Sequence, residues 1–324
     1  MAQFNRHQLN VLPIGKREHL LSIGEILPLK KSQSVDINFR QLAPLLIDAR
    51  KRGSTIVLMI GAHVIRRGVQ RYLIDLIDRG FVSCIAVNGA GIIHDYEFSL
   101  IGATTESVAK YIRDGQFGLW REIGRINDIV KRAQQEKKGL GEAVGQAIVQ
   151  DQLPNADLSL LGAAWRAGVA VTAHVGIGYD IVAEHANFDG GAWGETSYRD
   201  FLGFAEILSS LEGGVVMNFG SAVMAPEVFL KALAMVRNRA GQNNRKITDF
   251  TTLVCDLVPL PDDYHKEAEK STAGYYFRPW KTMLVRTVQD GGRSLYVRGD
   301  HARTVPELWT ALVDALGEQR EVES

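Results

Sequence analysis

The sequence predicts an α/β fold: a Rossmann-like, doubly wound, mainly parallel sheet with helices on both faces and a C-terminal β-hairpin. Three observations predict it. Strand-length apolar runs alternate along the chain with helix-length amphipathic stretches, the pattern of strand–helix–strand units. The runs are apolar throughout, as parallel strands covered on both faces are. Four of them end directly in glycine-containing turns, at Gly61, at Gly89 and Gly91, at Gly176 and Gly178, and at Gly220.

Taken in order, residues 1–35 show little periodicity and read as an N-terminal extension, with residues 36–324 forming a single domain. A helix is expected over 38–52, where Arg50, Lys51, Arg52 and Gly53 form a suitable C-terminal end. Residues 54–60 read as a strand that turns at Gly61, and 64–79 as an amphipathic helix stopped by Gly80. A second strand covers 81–87. Residues 104–152 read as mostly helical, 158–167 as a helix, and 169–175 as a strand. Residues 188–194 read as a glycine-rich loop that could act as a lid over a site, containing Asp189 and Trp193, with Glu195 just beyond. Ser197 and Asp200 suggest a helix start. A strand follows at 215–219, a helix opens at Pro226, and another strand covers 250–258. Residues 283–288 and 294–298 flank Asp290-Gly291-Gly292 and read as an antiparallel hairpin. A last helix follows Thr304 and ends near Gly317.

Composition narrows the function classes. With 46% hydrophobic and 23% charged residues and a net charge of zero, no general attraction to nucleic acid or to an anionic membrane is expected. No apolar stretch is long enough to span a bilayer. Cys84 and Cys255 each lie in an apolar run and read as buried free thiols of a cytoplasmic protein.

The glycine turns carry the candidate chemistry. In open α/β sheets, ligands bind outside the carboxyl ends of the strands. The stretch Asn88-Gly89-Ala90-Gly91 ends a buried strand and opens a helix, where main-chain N–H groups favour an anion such as a phosphate. His94 and Asp95 follow it and suit either a cofactor contact or helix capping. Asp180 suits either a substrate amine or a helix cap. His174 ends a strand and suits either proton transfer or a hydrogen-bonded core position. Lys281 follows Trp280 and Tyr275, whose rings could lower its pKa as a Schiff-base lysine requires; an exposed lysine at a strand start is the plainer reading. Asp300, directly after a strand, suits a ribose contact or a solvated loop.

Gly61-x6-Gly68, the helix after it, and residues 82–95 with their glycine turn resemble the first nucleotide-binding unit of the deoxyhypusine synthase family. Residues 172–180, 213–226 and 295–312 resemble later parts of that family. The likeness spans about two-thirds of the chain. It implies a Rossmann-like fold holding NAD in a homo-oligomer, usually a tetramer. The implied activity moves an aminoalkyl group from a polyamine through an enzyme-lysine imine to an amine acceptor, which in that family is a protein lysine. It further implies NAD contacts at Gly61, His63, Asn88, Gly89, Ala90, Gly91, His94, Asp95, Gly220, Ser221 and Asp300, with Lys281, Asp180 and His174 as catalytic candidates. The chain departs from the family's Ala-Val-Ser-Trp-Gly-Lys at Pro279-Trp280-Lys281, and from its Glu-Glu-Asp at Ile93-His94-Asp95. Two other readings stand beside it. One is a metal-dependent hydrolase using His174, Asp180, His185, Asp189 and His301. The other is an inactive relative that still binds a nucleotide.

Overall fold

The computed structural model describes residues 2–317. Six parallel strands form the main sheet: β2 (Ile56–Ile60), β3 (Cys84–Asn88), β5 (Ala170–His174), β6 (Val215–Phe219), β7 (Thr251–Asp256) and β8 (Arg293–Arg298). Two short strands, β1 (Leu21–Ser22) and β4 (Ala103–Thr104), pair antiparallel beside it. The sheet order is β5-β3-β2-β6-β7-β8. The chain therefore starts at the centre, winds outward through β3 and β5, then returns to the centre and winds outward through β6, β7 and β8. This is the 3-2-1-4-5-6 order of dinucleotide-binding sheets.

Strand periodicity divides the core into two layers. Ile56, Leu58 and Ile60 point to one face, where they meet Leu42 and Leu46 of α1 (Ile37–Arg52), Leu73 of α3 (Gln70–Asp78) and Leu308 of α11 (His301–Ala315). Val57 and Met59 point to the other, toward Phe204 of α9 (Gly190–Ile207) and Phe229 of α10 (Met224–Gln242). A parallel strand must bury both faces, which is why β2 reads as Ile-Val-Leu-Met-Ile without a polar residue. The remaining helices, α2 (Ala62–Arg66), α4 (Gly89–Ile101), α5 (Val108–Arg113), α6 (Arg125–Gln135), α7 (Leu140–Gln150) and α8 (Leu160–Arg166), complete the crossovers. No helix among the described residues is long and apolar enough to cross a membrane. Cys84 and Cys255 are both buried free thiols.

Three local expectations are corrected. There is no C-terminal hairpin: β8 runs parallel to β7, and Pro279–Arg286 is a π-helix. Trp280, Met283, Leu284 and Thr287 recur at helical spacing, and packing Trp280, Met283 and Leu284 into the second core layer outweighs the turn signal of Asp290-Gly291-Gly292. The helix expected over 64–79 is two helices, α2 and α3, with Gly68 between them at φ +70°. A side chain at Gly68 would meet the Glu25 carbonyl at 2.3 Å, so the N-terminal segment packs into the break. The expected lid at 188–194 is the start of α9: Asp189 caps it by accepting from Gly191 N and Ala192 N, and Trp193 is buried. Residues 2–35 lie against the fold, with Leu12 bridged to Trp120 and Leu21 paired with Thr104.

Candidate functional site

The glycine turns after β2, β3, β5 and β6 meet at the carboxyl edge of the sheet. Gly61, Gly89, Gly176 and Gly220 all line one cleft of about 660 Å³, within the usual range for cofactor sites (about 300–1,000 Å³). Its floor is the switch point, where the two halves of the sheet part. There the turns touch: a Cβ on Gly61 would lie 2.4 Å from the Gly220 carbonyl oxygen. Gly220 itself has φ +63°, and a side chain on it would strike His301 Nε2. Both positions exclude any larger residue, the first by contact and the second by conformation as well. The first βα turn carries the phosphate cradle in sheets of this order. That turn is Gly61-Ala62-His63, whereas the Asn88–Gly91 turn lies one strand further out.

The sequence candidates divide by position. Gly61, His63, Asn88, Gly89, Ala90, His94, His174, Asp180, Gly220 and Ser221 all line the cleft. Gly91 instead donates its N–H to Asn88 Oδ1 as part of the α4 cap. Asp95 faces away: its carboxylate accepts from Ser159 Oγ at 2.5 Å, Leu160 N at 2.9 Å and Leu161 N at 3.1 Å, capping α8. Asp300 caps α11 through Ala302 N and pairs with Arg67 at 2.9 Å. Lys281 is buried on the π-helix, with its ammonium 3.4 Å from the centre of the Tyr275 ring, and is not among the residues lining the cleft. Lys281→Ala should therefore leave nucleotide affinity within about twofold of wild type and lower stability by about 1 kcal/mol through the lost ring contact. Calorimetric titration and denaturant unfolding check both numbers.

One cation, Arg66, and one carboxylate, Asp180, line the cleft, with His63 and His94 beside them. Burial lowers the His63 pKa, and the charges of Arg66, His94 and Arg67 lower it further. Burial pushes Asp180 up to about 6, offset in part by His94. Burial alone takes His174 down to about 4, so its ring is neutral at pH 7, with Nε2 3.1 Å from Thr172 Oγ1.

His94 is the end of a side-chain relay that the sequence did not reveal. Arg17 Nη1 donates to Glu97 Oε1 at 2.6 Å, and Thr104 Oγ1 donates to Glu97 Oε2. Burial would raise Glu97, but hydrogen bonds from His94, Arg17 and Thr104 and the Arg17 charge hold it near 2. Glu97 is thus an ionised, acceptor-only group. Thr104 gives it its proton and must accept from His94 Nδ1, 2.7 Å away. The relay places a proton on His94 Nδ1, so in the neutral ring Nε2 is the acceptor. Arg66, Tyr179 and Met224 also line the cleft without having been singled out from the sequence.

The residues of the metal-hydrolase reading do not gather. His185 Nε2 is 3.1 Å from the Gly118 carbonyl, Asp189 caps α9, and His301 lies beneath Gly220. No group of three or more His, Cys, Asp or Glu side chains that could hold a metal occurs among the described residues.

Comparison with known proteins agrees with the fold. Residues 40–162 match the sequence model of the arginine dihydrolase ArgZ-like C-terminal Rossmann-fold domain. The comparison with curated proteins returned no match. Among solved structures, cyanobacterial ArgZ, described as an arginine dihydrolase, is 15% identical with a TM-score of 0.54, over 88% of this chain and 34% of ArgZ. AgrE, crystallised with ornithine and NAD+, is 14% identical with a TM-score of 0.54, over 90% of this chain and 35% of AgrE. A conserved putative LOR/SDH protein from Methanococcus maripaludis S2 is 13% identical with a TM-score of 0.53, over 90% of this chain and 74% of that one. The chain thus spans about a third of the length of ArgZ and AgrE.

These findings correct the transferase expectation. The matching sequence model is ArgZ-like, and the solved structures with the same fold include ArgZ and AgrE. Lys281, outside the cleft, has no place in such a transfer there.

Proposed function

We propose that this chain is an NAD-binding enzyme domain that acts on a small amino acid beside the cofactor. The observation that carries the reading is the contact of the Gly61 and Gly220 turns at the point where the sheet order reverses, under a cleft of dinucleotide size. Sheets of this order hold dinucleotides across that crevice. The donor set fits the group: Arg66 on the lining suits a pyrophosphate, and the missing Cβ of Gly61 lets the two turns meet beneath it. The complex of AgrE with ornithine and NAD+ supports both the cofactor and the substrate class. The dihydrolase activity of ArgZ belongs to a chain about three times as long and is not carried over.

Bound NAD would supply a hydride acceptor. The chain's own residues would supply positioning and proton transfer. Gly61, Ser221 and Arg66 would bind and orient the phosphates. His94 Nε2, held as an acceptor by the Thr104–Glu97 relay, would take a proton from the substrate or its attacking water. Neutral His174 and half-buried Asp180 would close the inner wall.

Titration with NAD should show one site per chain. His94→Gln should keep that affinity within about threefold while lowering turnover of an amino-acid substrate by about a hundredfold, the usual scale for a lost general base. Absence of NAD binding to the wild-type protein would remove the proposal.

A further inference from the structure

The Asp180 carboxylate has no task in the fold. Asp180 precedes the short helical turn Ile181–Glu184, yet its side chain makes no capping hydrogen bond there. No hydrogen bond from any of the described residues reaches it; burial acts on it, and the nearby His94 offsets that in part. Its oxygens are reachable, because Asp180 lines the cleft and neither oxygen is one of the sealed, unpartnered polar atoms of the fold. A partly buried carboxylate without donors is costly, and in native structures such a group calls for a partner from outside the chain.

Its position is also unusual. Asp180 belongs to the turn after β5, but its carboxylate lies on the end of β3. A Cβ on Gly89 would stand 2.7 Å from Asp180 Cγ, 3.3 Å from Oδ1 and closer still to Oδ2. The carboxylate therefore fills the volume that a side chain at position 89 would occupy. Gly89 opens α4 without a left-handed φ, so its backbone does not require glycine. The space taken by Asp180 does.

The end of β3 matters in a sheet of this order. β3 is the second strand of the winding, beside the Gly61 turn. In dinucleotide-binding sheets an Asp or Glu about 20 residues beyond the first glycine turn accepts from a ribose hydroxyl. Here the end of β3 supplies no such acid. Asn88 uses its Oδ1 to accept from Gly91 N at 3.0 Å, and Gly89 has no side chain. The acid that stands at this spot comes from the neighbouring strand.

The geometry points to Asp180 as the ribose-binding residue: its two oxygens accept the vicinal hydroxyls of one ribose of the dinucleotide, over a glycine that leaves the carboxylate its place. The assignment rests on the NAD reading above and adds the residue that holds the sugar. Both riboses of NAD present this diol, and titration with NADP separates them.

Calorimetric titration with NAD and with NADP tests it. Asp180→Asn keeps the volume but loses the charge and one of two acceptor oxygens, so NAD affinity should fall by about tenfold or more. The side chain supports nothing else, so this variant should melt with wild type. Gly89→Ala should weaken NAD binding comparably, because its methyl drives the carboxylate aside, a movement that a side-chain end can make without unfolding the chain. In an Asp180→Ala background that volume is empty, and the same methyl should change NAD affinity by less than about twofold. The 2′-phosphate of NADP sits on the adenosine ribose. If Asp180 holds that ribose, wild type should bind NADP at least about tenfold more weakly than NAD, and Asp180→Asn should narrow the gap. If it holds the nicotinamide ribose, Asp180→Asn should weaken both cofactors alike. Wild-type NAD affinity in Asp180→Asn, or an equal loss from Gly89→Ala in both backgrounds, overturns the assignment and leaves the NAD reading standing. If Gly89→Ala fails to fold, Asp180→Asn decides. Wild-type protein that binds neither cofactor removes the NAD reading, and this assignment with it.

Discussion

Gly61→Ala should weaken NAD binding by roughly a hundredfold, about 3 kcal/mol. The cost is steric. The new methyl would sit 2.4 Å from the Gly220 carbonyl oxygen and 2.9 Å from its carbon. Both are backbone atoms anchored by β6, and the Gly61 N–H itself bonds the Phe219 carbonyl at 2.9 Å. Neither turn can rotate a side chain away, so the two halves of the sheet must part at the crevice. The same clash would cost some stability, which is why a control is needed. Gly145→Ala places a methyl 2.6 Å from the Leu161 carbonyl in the α7–α8 contact, and Gly145 does not line the cleft. It should lower the melting temperature comparably and leave NAD affinity unchanged. Titration of both variants below their melting points separates the effects. Wild-type affinity in Gly61→Ala would mean that the dinucleotide does not approach the switch point.

The sheet was legible because its signals are local. A strand buried on both faces shows as a short, wholly apolar run, and a turn at the sheet edge shows as the glycine that follows, so Gly61, Gly89, Gly176 and Gly220 marked the cleft without any tertiary information. Residues on one helix were harder. His94 and Asp95 are neighbours in sequence, but a helix turns about 100° per residue, and one faces the cleft while the other faces α8. Nothing local says which. Arg17 was not legible at all: its meaning comes from Glu97, 80 positions away. The likeness to deoxyhypusine synthase rested on strands and glycine turns. Those features are shared by doubly wound sheets in general, so they carried the fold and misled on the chemistry. Lys281 shows the consequence, since a lysine beside aromatic rings describes a cation held against Tyr275 as well as it describes a Schiff base.

The second large effect concerns that misplaced aspartate. Asp95→Ala should destabilise the fold by about 3 kcal/mol, because it leaves the Leu160 and Leu161 N–H groups and the Ser159 hydroxyl without an acceptor in a dry site. The loss should also depend on pH, in a direction opposite to that of an ordinary salt-bridged acid. Burial raises Asp95 from 3.8 to about 6, against the lowering pull of its bonds from Ser159, Leu160 and Leu161. Between those values the folded chain binds more protons than the unfolded chain, so wild-type stability falls as pH rises through that window and levels off above it. The variant lacks this term. Its deficit should therefore be largest near pH 4 and shrink toward pH 7. His174, lowered by burial to about 4, makes stability rise with pH between about 4 and 6.5, but it is present in both proteins and cancels in the difference. Denaturant unfolding of the pair across this range tests the claim. A deficit that grows with pH would show that Asp95 is held ionised by its three donors, so that hydrogen bonding and not burial sets its charge.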